Sequence, residues 1–265
     1  MAVKFCSLSS GSSGNCQYIE TKSTRLIIDA GFSGKRIEQL LKEIDVDPRT
    51  LDGILVTHEH IDHSKGVGIL SRRYGIPVFA NEKTWMGMEP IVKQVKTENT
   101  RVFISNKNLE IKDVLIHPFN VNHDALEPVG YILFNGDKKL SFLTDTGLVN
   151  DSMKAKIRNS HLFFMESNHD IRMLKEGSYP WPLKQRILSP YGHLSNDDAA
   201  SVLGDVLKGE SEVVLLAHLS QDNNIPKLAF DTVRTSLLSQ GFDVDNDIRL
   251  SLTRRDGISE FYIID

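Results

Sequence analysis

The segment that most constrains the fold of this chain is Thr57-His58-Glu59-His60-Ile61-Asp62-His63, which follows directly on the short apolar run Gly53-Ile54-Leu55-Val56. Three imidazoles and a carboxylate stand within six positions, 58 to 63. On a helix, residues i and i+2 point to different faces, so these side chains converge only on a loop leaving a strand. Four potential ligands are too many for one catalytic ion that keeps an open position, and they suit two ions sharing a water. Such a pattern is too restrictive for an ordinary polar turn. A fold that hosts it needs further strands whose ends supply the remaining ligands.

Strand-like runs are present throughout. Residues 3–8, 16–19 and 25–29 open the chain, and Ser9-Ser10-Gly11-Ser12-Ser13-Gly14-Asn15 makes a tight turn between the first two. That turn lacks the Lys and the following helix of a phosphate-binding P-loop, and reads as a close connection. Ser33 caps a helix whose Ile37, Leu40, Leu41 and Ile44 form one apolar stripe. A short strand at 53–56 precedes the histidine loop, and a helical stretch then reaches Tyr74 before Gly75 and Pro77 end it. Strands are expected at 101–104, 109–111, 114–119, 129–134 and 140–143, with Asn135-Gly136-Asp137 as a hairpin. The chain closes with a strand at 212–216, a helix at 226–239 and strands at 248–252 and 260–264. Two β-rich halves, each covered by helices, predict an α/β layered αββα sandwich of two mixed sheets flanked by helices. No linker, repeat, low-complexity tract or like-charge block divides residues 1–265, so one domain is expected.

Composition narrows the partners. Thirty-one Lys plus Arg against 35 Asp plus Glu give a formal charge of -4, so no global basic field holds nucleic acid and any polyanion is gripped locally. Two cysteines against nine histidines suit a reducing cytoplasm and nitrogen and oxygen ligands for any metal. The opening MAVKFCSLSS has no signal-peptide pattern, and no apolar run approaches a membrane span, so a cytoplasmic protein without a membrane partner is expected.

Further ligand-type residues stand at other strand ends: Asp145 after 140–143, His218 after 213–217, and His123 after Phe119-Asn120-Val121-Asn122. Taken singly, an Asp there is a turn residue and a lone His a satisfied polar group. Their common placement argues for one site.

With His-x-His-x-Asp-His, a later His, an Asp and a final His, all at strand ends, the chain resembles the metallo-β-lactamase superfamily over almost its whole length. The resemblance implies a metal groove at one edge of the two sheets and two divalent ions, Zn or Mn. It assigns His58, His60 and His123 to one ion, Asp62, His63 and His218 to the other, Asp145 as the bridge, and Asp29 as a structural acid behind the histidine loop. The compact Gly-His form is missing at His123. His117, in a strand-like Ile-His-Pro, is its rival and is expected to be structural.

Phe164-Met165-Glu166-Ser167-Asn168 and Gly192-His193-Leu194-Ser195-Asn196 resemble the loops of the phosphodiesterase branch that includes RNase Z. That likeness implies His193 as general acid, Glu166 as its orienter and Asp62 as the group that orients a hydroxide held between the ions. From 172 to 186 four basic residues and one acid make a local +3. There Tyr179 or Trp181 offers a stacking face, Lys184 or Arg186 a phosphate contact, and neighbouring Asn168 a further substrate contact. The blander account of each aromatic is a side chain that pins a surface loop. Glu-Ser-Asn-His-Asp, Tyr-Pro-Trp-Pro-Leu-Lys-Gln-Arg-Ile, Gly-His-Leu-Ser-Asn and the opening Ser-Gly-Ser-Ser-Gly-Asn together resemble the YycJ (WalJ) family. This implies a cytoplasmic, metal-dependent 5′-to-3′ DNA exonuclease linked to mismatch repair, with DNA and repair proteins as partners. A small-ester, thioester or lactone hydrolase, an RNase Z-like endoribonuclease and a non-catalytic DNA-binding module stay as alternatives, because one groove serves many chemistries.

Overall fold

Strands and helices alternate along residues 2–265, which are described by a computed structural model. They form two mixed seven-stranded sheets flanked by helices, the predicted architecture. By packing, the chain falls into two units: one holds residues up to 120 with 125–138 and 254–265, the other 121–124 and 139–253.

In the first unit β1 (Val3–Ser9), β2 (Cys16–Glu20) and β3 (Arg25–Ile28) run antiparallel, and β4 (Gly53–Leu55), β5 (Val78–Asn81) and β6 (Thr100–Phe103) continue the sheet in parallel. Their connections carry α1 (Gly34–Glu43), α2 (Ile61–Ser64), α3 (Val67–Tyr74) and α4 (Glu82–Val92). On α1 the Ser33 side chain accepts the Arg36 N–H, and Ile37, Leu40 and Leu41 are buried as the stripe predicts. The antiparallel meander β7 (Leu109–Ile111), β8 (Val114–Asn120) and β9 (Val129–Asn135) also falls in this unit, but its strands belong to the second seven-stranded sheet.

The second unit is built on the parallel strands β10 (Lys138–Leu143), β11 (Leu162–Glu166), β12 (Glu212–Ala217) and β13 (Ile248–Leu252). Between them lie α5 (Asp151–Ile157), α6 (Ile171–Glu176), α7 (Trp181–Ile187), α8 (Asn196–Val206) and α9 (Pro226–Ser239). Every residue of β11 and of β12 is buried, as expected of parallel strands covered on both faces. The last strand, β14 (Tyr262–Ile264), pairs with β1.

Three departures from the sequence reading have local causes. Helix begins earlier than read: α2 starts at Ile61 with His60 at its N-cap, so Asp62 and His63 lie within it and not on a loop, and the stretch to Tyr74 follows as the separate helix α3. Helix α4, capped by the Asn81 side chain and containing Pro90, was not expected. The 172–186 segment, whose aromatics were given the account of pinning a surface loop, holds α6 and α7; Pro180 stands at the N-cap of α7 and Pro182 lies in its first turn, where a missing N–H costs no helical bond. Among the described residues, no helix is long and apolar enough to cross a membrane.

Both units end their strands at charged or imidazole groups. Asp29 follows β3, Asp145 lies just beyond β10, Glu166 ends β11 and His218 follows β12. Asp29, Asp145 and His218 have φ of 62°, 55° and 55°. Left-handed backbone at a non-glycine residue costs on the order of 1 kcal/mol and persists where the surroundings impose it, characteristically at functional sites.

Candidate metal centre

In the first unit the loop after β4 is held from behind by Asp29. This fully buried carboxylate accepts the Thr57 N–H at 2.9 Å, the Thr57 hydroxyl at 2.9 Å and His63 Nδ1 at 2.8 Å. Burial pushes the Asp29 carboxyl up, against the opposing pull of His63 and Thr57. Because the Thr57 hydroxyl donates to Asp29, its oxygen accepts from His58 Nδ1, 3.0 Å away. His58 thus turns its Nε2 inward, 3.1 Å from Nδ1 of His60. His63 Nε2 lies 3.5 Å from Asp62 Oδ2. Asp29, His58, His60, Asp62 and His63 are therefore one cluster, and Thr57 joins it.

In the second unit the centre is Glu166, fully buried at the end of β11. Its Oε1 accepts both His193 Nδ1 at 2.7 Å and His218 Nδ1 at 3.0 Å, while Oε2 accepts the Thr146 N–H at 2.9 Å. Burial opposes charge on Glu166, but the two imidazoles beside it hold its carboxyl well below the usual carboxylate range. His218 Nε2 faces Asp145 Oδ1 at 3.5 Å, and His123 Nε2 faces the same oxygen at 4.0 Å. His123 donates through Nδ1 to the Gly192 carbonyl at 3.2 Å, and burial pushes its pKa down, which keeps the ring neutral as a cation ligand requires. Asp145, Glu166, His193 and His218 present ligand atoms that all lie within 4.8 Å of one another.

One pattern runs through both clusters. His58, His63, His123 and His218 each bond an outer partner through Nδ1, and three of them turn Nε2 towards aspartate oxygens: His63 to Asp62 at 3.5 Å, His218 to Asp145 at 3.5 Å, and His123 to Asp124 at 3.3 Å and Asp145 at 4.0 Å. The separations from Asp62 and Asp145, 3.5 Å and more, are too long for a hydrogen bond and suit two ligands of one cation. An outer carboxylate that fixes the tautomer and raises imidazole basicity is the usual support of a metal-binding histidine. The mixed nitrogen and oxygen donors fit a divalent ion such as Zn or Mn.

The expected substrate contacts are placed unevenly. Trp181 is 60% exposed at the start of α7, and the Tyr179 hydroxyl donates to Asp222 at 2.8 Å. Asn168 is buried and donates to the His218 carbonyl at 2.9 Å. Arg186 pairs with Asp124. Lys184 differs from its expected phosphate contact: it is buried, and its ammonium donates to the carbonyls of Lys175 at 2.8 Å and Gly177 at 2.7 Å. The helical form of 181–187 aims it at the end of α6, where unsatisfied carbonyls favour a cation. His117, on β8, has its Nδ1 2.7 Å from Asn108 Oδ1.

Sequence reasoning missed the supports. Thr57 had a signal, a hydroxyl directly before the first histidine. Gly31 had none, although a Cβ there would stand 1.6 Å from the Asp62 carbonyl oxygen and 2.6 Å from the Asn15 nitrogen. Gly31→Ala is expected to push the Asp62 backbone away and to destabilise the protein by about 3 kcal/mol, the upper range for overpacking. A urea midpoint equal to that of the wild type would refute this.

His169, within Glu-Ser-Asn-His-Asp, carries no site signal of its own in the sequence. Its ring is 99% buried by area, with 1% exposure, and among the described residues neither ring nitrogen has a hydrogen-bond partner. Burial pushes its pKa down to about 4. Below pH ~6.5 the unfolded chain takes up a proton at this residue that the folded chain refuses. Stability is therefore lost as pH falls from about 6.5 to about 4, by on the order of 3 kcal/mol, and no further below. In metal-free protein, His169→Asn should flatten that part of the stability–pH curve; an unchanged slope in urea titrations at pH 7 and 4.5 contradicts the expectation.

The chain is similar to known proteins in sequence and in fold. A family model described as the beta-lactamase superfamily domain matches residues 24–219. The chain is 45% identical over 244 residues to exodeoxyribonuclease YycJ of Bacillus anthracis, covering 92% of each chain. It is 44% identical over 258 residues to exodeoxyribonuclease WalJ of Streptococcus pneumoniae serotype 2, strain D39, covering 97% of this chain and 96% of that one. In fold it is similar to the crystal structure of the metallo-beta-lactamase fold protein YhfI from Bacillus subtilis, with a TM-score of 0.70 at 17% identity, over 97% of this chain and 99% of that one.

Proposed function

We propose that this chain, which belongs to the beta-lactamase superfamily and within it to the family of the exodeoxyribonucleases YycJ and WalJ, is a metal-dependent DNA exonuclease that degrades a strand from a free 5′ end. The observation that carries the reading is Glu166, whose single oxygen holds both His193 and His218. One imidazole is thereby kept ready for proton transfer and the other for a cation, within one cluster.

His58, His60 and His123 would hold one divalent ion, Asp62, His63 and His218 the other, with Asp145 between them. Two such ions, Zn or Mn, would lower the pKa of a shared water and neutralise the phosphate charge. Asp62 orients that water. His193, with Nδ1 on Glu166, carries its transferable proton on Nε2 and hands it to the departing 3′-oxygen. Trp181, exposed on α7, stacks an unpaired base, and Arg186, half exposed and paired with Asp124, exchanges that partner for the backbone phosphate. The whole length acts as one catalytic domain in the cytoplasm, alongside repair proteins.

The test is a DNA duplex labelled at either end of one strand, given to protein stripped by a chelator and reloaded with Mn, Zn, Mg or Co. Loss of the 5′ label as mononucleotide, abolished by the chelator and restored by metal, is expected. Faster turnover of a chromogenic ester than of a phosphodiester, or binding of DNA without cleavage under every metal, would overturn the proposal.

A further inference from the structure

The Ser9–Asn15 turn is the one motif of the sequence that neither the ligand set nor the acid absorbs. Its last residue, Asn15, is buried, 2% exposed. The Asn15 amide oxygen accepts the Gly11 N–H at 3.0 Å, and the amide nitrogen faces the Gly11 carbonyl at 3.1 Å, the Asp62 carbonyl at 3.4 Å and His63 Nε2 at 3.0 Å. With the oxygen on the Gly11 N–H, the amide nitrogen has two protons for three acceptors, and the two shorter contacts, to the Gly11 carbonyl and to His63 Nε2, take them, so the nitrogen end points at His63. His63 Nδ1 already donates to Asp29 at 2.8 Å, which makes Nε2 the acceptor and Asn15 the donor. The turn is fastened to the same place through its backbone: Asn15 N–H donates to the Asp62 carbonyl at 2.8 Å, and the Asn15 carbonyl accepts the Gly31 N–H at 2.9 Å.

We infer that Asn15 is a positioning residue which holds His63 Nε2 by a side-chain hydrogen bond that a divalent ion must displace. The inference rests on the reading of His63 as a metal ligand. A nitrogen lone pair serves one partner at a time, so the amide and the ion compete for the same atom. While the amide holds it, the ring stays in the tautomer and orientation that the ion requires. Asn15 thus tempers loading at His63 and makes the Ser/Gly turn the segment that registers it. The backbone bonds of residue 15 do not need its side chain, so Asn15→Ala keeps the turn tied to Asp62.

The test uses isotopically labelled full-length protein and has readouts other than activity. In metal-free protein, ring nitrogen NMR should show His63 with Nδ1 protonated, and the Nε2 resonance should move towards the unbonded value in Asn15→Ala. By calorimetry, the variant should bind the more weakly held Zn2+ about fivefold more tightly, the worth of one net hydrogen bond. In the wild type, the Asn15 side-chain amide protons should lose protection from exchange as Zn2+ is added. If the Nε2 shift or the Zn2+ affinity stays as in the wild type, or the affinity falls, the inference is overturned. Should the variant not fold, wild-type Asn15 amide protons that ignore Zn2+ overturn it unaided. Wild-type protein that takes up no Zn2+ overturns the metal reading beneath it, and is told apart because the nitrogen shift still responds to Asn15→Ala.

Discussion

Replacing His193 by Ala is expected to lower the cleavage of a natural phosphodiester by about 10²- to 10⁴-fold while the metal content stays that of the wild type. The ring keeps 19% of its side-chain surface exposed and bonds Glu166 through Nδ1 at 2.7 Å, so its Nε2 is directed away from the buried carboxylate. Its ligand atom lies in the same tight group as those of Asp145, Glu166 and His218, so the measurement is chosen to tell an acid from a ligand. An acid and a ligand differ in what they respond to. If His193 donates a proton to the departing oxygen, a substrate with a nitrophenolate leaving group needs no such proton and should be cleaved by the variant nearly as fast as by the wild type. If His193 is a ligand, the variant loses metal, and both substrates suffer alike. Unchanged turnover of end-labelled DNA would remove His193 from the reaction altogether.

How much of the fold and site is legible in the sequence follows from the range over which each cause acts. The stripe Ile37, Leu40, Leu41 and the cap Ser33 are local, and α1 forms where they place it. The segment 57–63 was legible as a ligand cluster because its residues are neighbours in sequence and follow a short apolar strand, but the short helix α2 that begins at Ile61 was not. Asp145 and His218 were found by their position after strands, but their left-handed backbone was not, because it is imposed by the sheet ends and not by residue type. The Glu166 pairing with His193 was expected from family likeness; its second bond, to His218, joins residues 52 apart in sequence and had no local trace. Lys184 shows the opposite failure. Its charge suggested phosphate, and the helical turn that sends its ammonium to the α6 carbonyls is decided by Pro180 and Pro182, whose preference for a helix start outweighs their look of a loop.

Glu166→Gln is the other substitution with a large expected effect, because one carboxylate does two jobs. The Oε1 atom faces two imidazole donors and Oε2 faces the Thr146 N–H, with the Leu194 N–H at 3.4 Å beyond it. A glutamine amide in this place has one oxygen and one NH2 group. Whichever way it turns, donors face donors, and the negative charge between two imidazoles is gone. Removing one partner of such a buried charged cluster costs about 3 kcal/mol of stability. It also frees the His218 tautomer, for which outer-carboxylate losses of about 10- to 100-fold in metal affinity are the precedent. At saturating metal that loss disappears from the rate, and what remains is the misplaced His193, about 10²-fold or more. Measuring single-turnover cleavage across a metal titration therefore separates the two roles in one variant. The acid side of the stability curve gives an independent check of sign. Because the folded carboxyl lies below its ordinary value of 4.5, its contribution is present above that pH and is lost as pH falls further, so Glu166→Gln should flatten the wild-type decline there. A variant with wild-type metal affinity would show that His218 does not depend on Glu166, and one with full activity at saturating metal would show the same for His193.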